Sequence, residues 1–199
     1  MQSLAEILNA VRAGELTVDA AEQAIAALNK SQASATPGFA DIDFARNDVA
    51  RADRRGFPET VFCPGKPGEQ IIDIMRRFRE SESLVLASRA TPEQAEAVLA
   101  ALPETQHFAD AGLLLLGEAR RWTGAPDEGK LLVLSAGTAD HAIAEEAAVT
   151  AEIFGANVER IYDVGVAGLH RLLSQLERLR AADVIITVAG MDGALPAVV

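Results

Sequence analysis

The sequence predicts an α/β protein built on a parallel sheet, and three observations carry that expectation. The last seventy residues alternate strands, the continuously apolar 131–134 followed by 158–162 and 184–188, with helical segments 142–154 and 169–180. Strands apolar on both sides, separated by helices, indicate a parallel sheet covered on both faces. A similar strand–helix alternation begins at Glu59. Each of the three late strands also ends in a loop of small and polar residues, where open α/β sheets bind ligands.

In chain order, residues 1–30 read as two short helices. Ser3 and Glu6 fit a capping box, Gly14 breaks the first helix, and Thr17 caps the second. The stretch 31–38 is a small-residue linker ending in Pro37-Gly38. Residues 39–80 hold 8 of the 18 basic residues and are locally near neutral. Arg46, Arg51, Arg54 and Arg55 there are either a solvated face or a contact for phosphate, whose geometry matches guanidinium forks. Strands follow at 60–63 and 83–88, with a helix over 67–79 between them. A helix over 91–102 is opened by Thr91-Pro92-Glu93, with proline in its first position. Residues 107–108 and 113–116 read as further strands. The segment 117–129, with Pro126 and three glycines, is the best boundary. The expected organisation is therefore a helical hairpin and linker (1–38), a small α/β domain (39–128) and a nucleotide-binding domain (129–199). The chain stops at Val199 where another helix is expected to begin, so the third domain reads as incomplete, to be finished by further chain or another subunit.

Composition excludes several functions. The chain has 199 residues, 18 basic against 29 acidic, for a net charge of −11. Nucleic-acid binding through a broad basic face is therefore not expected. No apolar run is long enough to span a membrane, and the first thirty residues lack a secretory pattern. The single Cys63 precludes an internal disulfide and fits a reducing cytoplasm. One Cys and three scattered His leave no metal-ligand spacing, and no tightly bound cofactor is expected.

The chemistry-bearing loops are Ser135–Asp140, Asp163–Gly168 and Ala189–Gly193. Gly137, Gly165, Gly168, Gly190 and Gly193 let a ligand approach the backbone, and the following helices would aim N–H groups at a phosphate. Ser135 and Thr138 offer hydroxyls, and Asp140 offers an acceptor for ribose. Asp192 beside Met191 is the carboxylate placed for acid–base work, or else a helix cap; Asp163 carries the same ambiguity. None of the loops fits a dinucleotide-dehydrogenase or P-loop fingerprint. Cys63 reads as a structural thiol far in sequence from the loops. His170 reads as a partly buried structural histidine.

The motifs S-A-G-T-A-D, A-E-E-A, Y-D-V-G-V-A-G-L-H-R and A-G-M-D-G-A-L, with the upstream R-x-G-F-P-E at Arg54–Glu59 and Gly65-Lys66 after it, resemble the LarB family over nearly the whole chain. That resemblance implies a C-terminal half similar to AIR carboxylase (PurE), a flavodoxin-like parallel three-layer sandwich that assembles as an octamer. It implies a synthase of nickel-pincer nucleotide cofactor biosynthesis, which carboxylates the pyridinium ring of nicotinic acid adenine dinucleotide with CO2 and releases AMP. The family's carboxylate falls on Asp192. Its nucleophilic cysteine is expected beyond that motif, and Cys63 does not match it. The alternatives are AIR carboxylase or its mutase relative, and a non-catalytic nucleotide-binding module. The carboxylase pattern expects a histidine in the turn after the second strand, where this sequence has D-V-G-V-A-G.

Overall fold

The computed structural model describes residues 4–18, 20–25, 40–42, 45–47, 56–120, 129–190 and 193–199. The chain forms two compact units, Met1–Arg51 and Ala52–Val199. In the first, a helix spans Leu4–Arg12. It ends at Gly14, whose φ of 74° suits a glycine stop. A second helical stretch contains residues 20–25, and its start is capped by Thr17, whose Oγ1 accepts from the Ala20 N–H at 3.3 Å. Ala40–Ile42 and Ala45–Asn47 pair as an antiparallel hairpin, which the sequence pattern did not announce. Ser3, the 31–38 linker, Arg51, Arg54 and Arg55 lie outside the described residues, as does the Arg46 side chain.

The second unit contains β1 (Thr60–Phe62), α1 (Gly68–Arg79), β2 (Leu84–Ser88), α2 (Pro92–Ala101), β3 (Gln106–Phe108) and β4 (Leu113–Gly117). It continues with β5 (Lys130–Ser135), α3 (His141–Ile153), β6 (Asn157–Ile161), α4 (Leu169–Leu173), α5 (Leu176–Arg180) and β7 (Val184–Val188). Two sheets result. The first has the order β1-β2-β4-β3, with β1 and β2 parallel and β4 antiparallel to both its neighbours. The second is fully parallel in the order β6-β5-β7, which places the first strand of the three in the middle, as in flavodoxin-like sheets. The fold is thus the α/β class that the sequence predicts.

Residue spacing explains the layering. Along β2, Leu84 and Leu86 join Leu113 and Leu115 of β4 in a cluster that includes Val149 and Ile153 of α3. Ala144 and Ala148, on another side of α3, pack with Val133 of β5 and the flanking Val158 and Ile186. The far face of the parallel sheet buries Leu132, Leu134 and Ile161 against Leu172 and Leu179 of α4 and α5. Helix α1 packs on β2 and β4 with buried Ile71, Ile74, Met75 and Phe78. The order of layers is α1 and α2, mixed sheet, α3, parallel sheet, α4 and α5.

Local chemistry sets the boundaries. Thr91 caps α2: its Oγ1 accepts from the Gln94 N–H at 3.3 Å, and Gln94 Oε1 accepts from the Thr91 N–H at 2.8 Å, with Pro92 in the first turn. Gly117 has φ 105°, and a Cβ there would stand 2.2 Å from the Ser83 carbonyl oxygen, so β4 ends on a position only glycine fills. The single helix expected over 169–180 is two short ones. Ser174 Oγ donates to the Arg171 carbonyl at 2.7 Å, a local bond that competes with the helical ladder at the break.

Helix α3 has no room on its parallel-sheet side, where Ala144 and Ala148 are fully buried. Ala148→Leu should therefore overpack this layer and cost about 1–3 kcal/mol. Urea unfolding should show the midpoint falling, and an unchanged midpoint would show that the layer has slack.

Candidate functional site

The parallel sheet gathers the three loops at the carboxyl ends of its strands. Helix α3, which follows the central strand β5, lies on one face of the sheet. The helices following β6 lie on the other face, and so does Leu195 in the turn after β7. Connections that leave adjacent strands toward opposite faces open a crevice above the sheet edge, the usual ligand position in such folds. Here they diverge on both sides of β5, so the segment 135–140 occupies the middle.

Hydrogen bonds stitch the loops together. The Ala136 N–H donates to the Val188 carbonyl at 2.9 Å, and the Val164 N–H donates to the Ser135 carbonyl at 3.0 Å. The Gly165 N–H donates to the Ala136 carbonyl at 2.8 Å. A side chain at Gly165 would put its Cβ 2.7 Å from that same oxygen, so glycine is what lets the first two loops meet. Ser135 is buried, and its hydroxyl oxygen accepts from the Asp163 N–H at 3.3 Å. Asp140 spans two loops: Oδ2 accepts from the Gly137 N–H at 2.9 Å and Oδ1 from the Gly190 N–H at 3.1 Å. Thr138 is exposed at the start of the turn that leads into α3.

The second loop is held from its own helix. Asp163 adopts φ 59° and pairs through Oδ2 with the Arg171 guanidinium. That guanidinium lies against buried Gly168, where a Cβ would come within 2.6 Å of Arg171 Nε. Sequence reasoning missed Arg171 as a loop-holding residue; its spacing eight residues after Asp163 was the available signal. His170 is exposed rather than partly buried. In the third loop, Gly193 has φ 60°, and its N–H donates to the Gly190 carbonyl at 2.9 Å. Met191 and Asp192, between them, lie outside the described residues.

A charged cluster between β6 and α3 orients that helix. Arg160 reaches both oxygens of Glu152 at 2.5 and 2.8 Å and donates from Nε to Glu145 at 3.2 Å. Hydrogen bonding to Glu152 pushes the Arg160 pKa further above its ordinary value. Tyr162 donates its hydroxyl to Glu145 at 2.6 Å, and burial followed by that bond to a carboxylate raises its pKa. The His141 ring stands edge-on to Tyr162, with centroids 5.0 Å apart. Glu146 pairs instead with Arg89 of the mixed sheet, 3.1 Å away. The adjacent Glu145 and Glu146 are thus both ion-paired, one to each sheet. Among the described residues, no group of three His, Cys, Asp or Glu side chains stands close enough to hold a metal. No helix among them is long and apolar enough to cross a membrane.

Cys63 sits at the end of β1 in the other sheet, fully buried. Burial pushes its thiol from 9.0 up to about 11, against the opposing pull of Lys66. The residues around the R-x-G-F-P-E motif serve an anchoring role. The Gly56 carbonyl accepts from Arg120 Nη2 at 2.8 Å, and Phe57 packs edge-on to Phe154 at 4.8 Å.

Residues 39–118 match the LarB/PurE-like N-terminal domain family. Across its whole length the chain is 32% identical, in an alignment of 223 residues, to the uncharacterized protein MJ0165 of Methanocaldococcus jannaschii, 76% of which is covered.

Two outcomes test this geometry. Asp140→Asn places an amide NH2 against one of two backbone donors and should cost about 1–3 kcal/mol. Hydrogen exchange at Gly137 or Gly190 should accelerate while the circular dichroism spectrum stays unchanged; unaltered exchange at both would show that the loops hold without Asp140. The Cys63 thiol, raised above its unfolded value, favours the protonated form in the folded state. Its contribution is whole below pH about 9 and is lost as the pH climbs through about 11. Alkylation of the native protein at pH about 8 should be far slower than of the unfolded chain, and equal rates would contradict the burial.

Proposed function

The chain belongs to the LarB family, and we propose on that premise that it is a pyridinium-3,5-biscarboxylic acid mononucleotide synthase. In this reading it carboxylates the pyridinium ring of nicotinic acid adenine dinucleotide with CO2 and hydrolyses the phosphoanhydride, releasing AMP, in nickel-pincer cofactor biosynthesis. The supporting observation is the convergence of three small-residue loops above β5, fastened to one another by Asp140 and Gly165. Such an edge admits a phosphate next to the backbone and leaves a carboxylate-bearing loop beside it.

The chemistry sets the requirements. A pyridinium ring is electron-poor and does not attack CO2. A thiolate that adds to the ring converts it to an electron-rich dihydropyridine, whose ring carbon then forms the new C–C bond to CO2. A base removes the proton from that carbon, and expulsion of the thiolate restores the aromatic ring. We assign the base to Asp192. The thiolate is not assigned to Cys63, because a fully buried thiol held protonated up to about pH 11 is a poor nucleophile at neutral pH. Water attacks the phosphoanhydride in the second half-reaction, and AMP leaves.

The test supplies the dinucleotide and isotope-labelled bicarbonate to the protein extended at its carboxyl end to carry the family's nucleophilic cysteine, and mass spectrometry follows AMP and the labelled mononucleotide. Asp192→Asn should leave dinucleotide binding nearly intact and lower carboxylation by about 10²–10⁴-fold. Near-normal turnover in Asp192→Asn would remove Asp192 from this role. Complete loss of turnover in a folded Cys63→Ser would make Cys63 the nucleophile.

A further inference from the structure

A second cluster lies at the carboxyl ends of β1 and β2 in the mixed sheet. Phe62 ends β1 with half of its surface exposed, although its neighbours Val61 and Cys63 are buried. Two cations stand by its ring: Lys66 Nζ at 6.0 Å and Arg89 Cζ at 5.9 Å from the centroid. Both distances are at the outer reach of a cation–π contact. The local backbone is fixed. Lys66 Nζ donates to the Phe62 carbonyl at 2.6 Å. Gln94 at the start of α2 donates to the carbonyls of Cys63 and Lys66 at 3.2 and 2.7 Å. Arg89, at φ 54°, is held by Glu146 through Nε, which is the only nitrogen of its guanidinium that this ion pair engages.

The cluster faces the same end of the unit as the three loops. Leu84, at the amino end of β2, lies in one cluster with Ile153 at the carboxyl end of α3. Arg89, just past the other end of β2, pairs with Glu146, five residues from the start of α3. That is about 8 Å along the helix axis from its amino terminus, which opens directly out of the central loop.

We propose that Phe62, Lys66 and Arg89 form a seat for a purine nucleoside monophosphate moiety, with the base on the Phe62 ring and the phosphate between the two cations. A half-exposed ring flanked by cations suits a planar base joined to an anion. An aromatic ring stacks on any base, and ammonium and guanidinium groups take phosphate oxygens. In a chain of net charge −11, Lys66 and Arg89, the latter ion-paired with Glu146, leave a local excess of positive charge beside one exposed ring that favours an anion. The proposal rests on the reading above only in naming the adenylate half of the dinucleotide as the occupant. The pyrophosphate separates the two nucleosides, so one half lies on the parallel-sheet loops and the other on this seat.

The seat is tested without turnover, by calorimetric or NMR titration of the full chain with AMP, adenosine and nicotinic acid mononucleotide. AMP should bind. Phe62→Ala should weaken AMP by about tenfold, as expected for loss of one stacked base. Phe62→Trp, which keeps an aromatic face, should retain binding. Lys66→Gln should weaken AMP but not adenosine. Binding of nicotinic acid mononucleotide should be unaffected by Phe62→Ala. The proposal is overturned by undetectable AMP binding, by AMP affinity unchanged in both Phe62→Ala and Lys66→Gln, or by equal weakening of AMP and the nicotinic mononucleotide. Failure of the synthase reading shows separately, as absence of labelled product while AMP binding still depends on Phe62.

Discussion

The second unit depends on one helix having two apolar sides. Helix α3 turns Ala144 and Ala148 toward the parallel sheet and Val149 and Ile153 toward the mixed sheet. The sizes are not interchangeable. Alanines let the helix approach the β5 backbone closely, so that the loop from β5 into α3 stays tight. The larger Val149 and Ile153 reach across to the leucines of β2 and β4. A helix with a single apolar stripe would cover one sheet and leave the other facing water. Because α3 serves both, its position fixes the relation of the two sheets, and with it which loops share an edge.

Burial sets the distance of α3 from each sheet and its rotation, but not its slide along the axis; that is fixed by directional contacts. Arg160 grips Glu152 with both ends of its fork and Glu145 with Nε, and Tyr162 holds Glu145 from the neighbouring position. Arg89 holds Glu146 from the other sheet. The Arg120 N–H donates to the Ile153 carbonyl at 2.8 Å, which ties the helix end to the segment leaving β4. Exposed ion pairs contribute little to stability one by one. A forked arginine with two carboxylates in one half-buried patch still selects one register among many that would bury similar area. Through Asp140, this register also decides where the Gly190 backbone lies.

Much of this was legible in the sequence because local and global preferences agree. The strand at 131–134 is an unbroken apolar run, which a doubly covered sheet accommodates, and the Thr91-Pro92 start of α2 has its own chemical signature. Less legible were features set by long-range pairing. The antiparallel return of β4 between β2 and β3 leaves no periodic trace, since Leu113–Leu116 would read alike in a parallel strand. The break at Ser174 arises from one side-chain bond inside an otherwise helical pattern. At the site, glycines and carboxylates marked the loops, but the roles of Asp140 and Gly165 did not follow from their spacing. Asp140 reads as a ligand acceptor in sequence; in the structure both its oxygens meet backbone N–H groups. Arg89 is 57 residues from Glu146, a separation at which no sequence pattern announces an ion pair.

The two carboxyl-terminal edges are built for different work. On the parallel sheet, the described loop residues are mostly small and are fastened to one another by hydrogen bonds. A reacting ring needs such an arrangement, since its partners must be placed without competing contacts. On the mixed sheet, the corresponding turns carry long side chains, Phe62, Lys66 and Arg89, and the one nearby nucleophilic atom, Cys63 Sγ, is withdrawn into the core. A surface with cations and an aromatic ring but a buried, protonated thiol is suited to holding a ligand and not to attacking it. This division follows from the strand alternation in β1, which buries Val61 and exposes Phe62, together with the turn at Gly65 that folds Lys66 back over the strand end. The same register that brings Phe62 to the surface therefore removes Cys63 from chemistry.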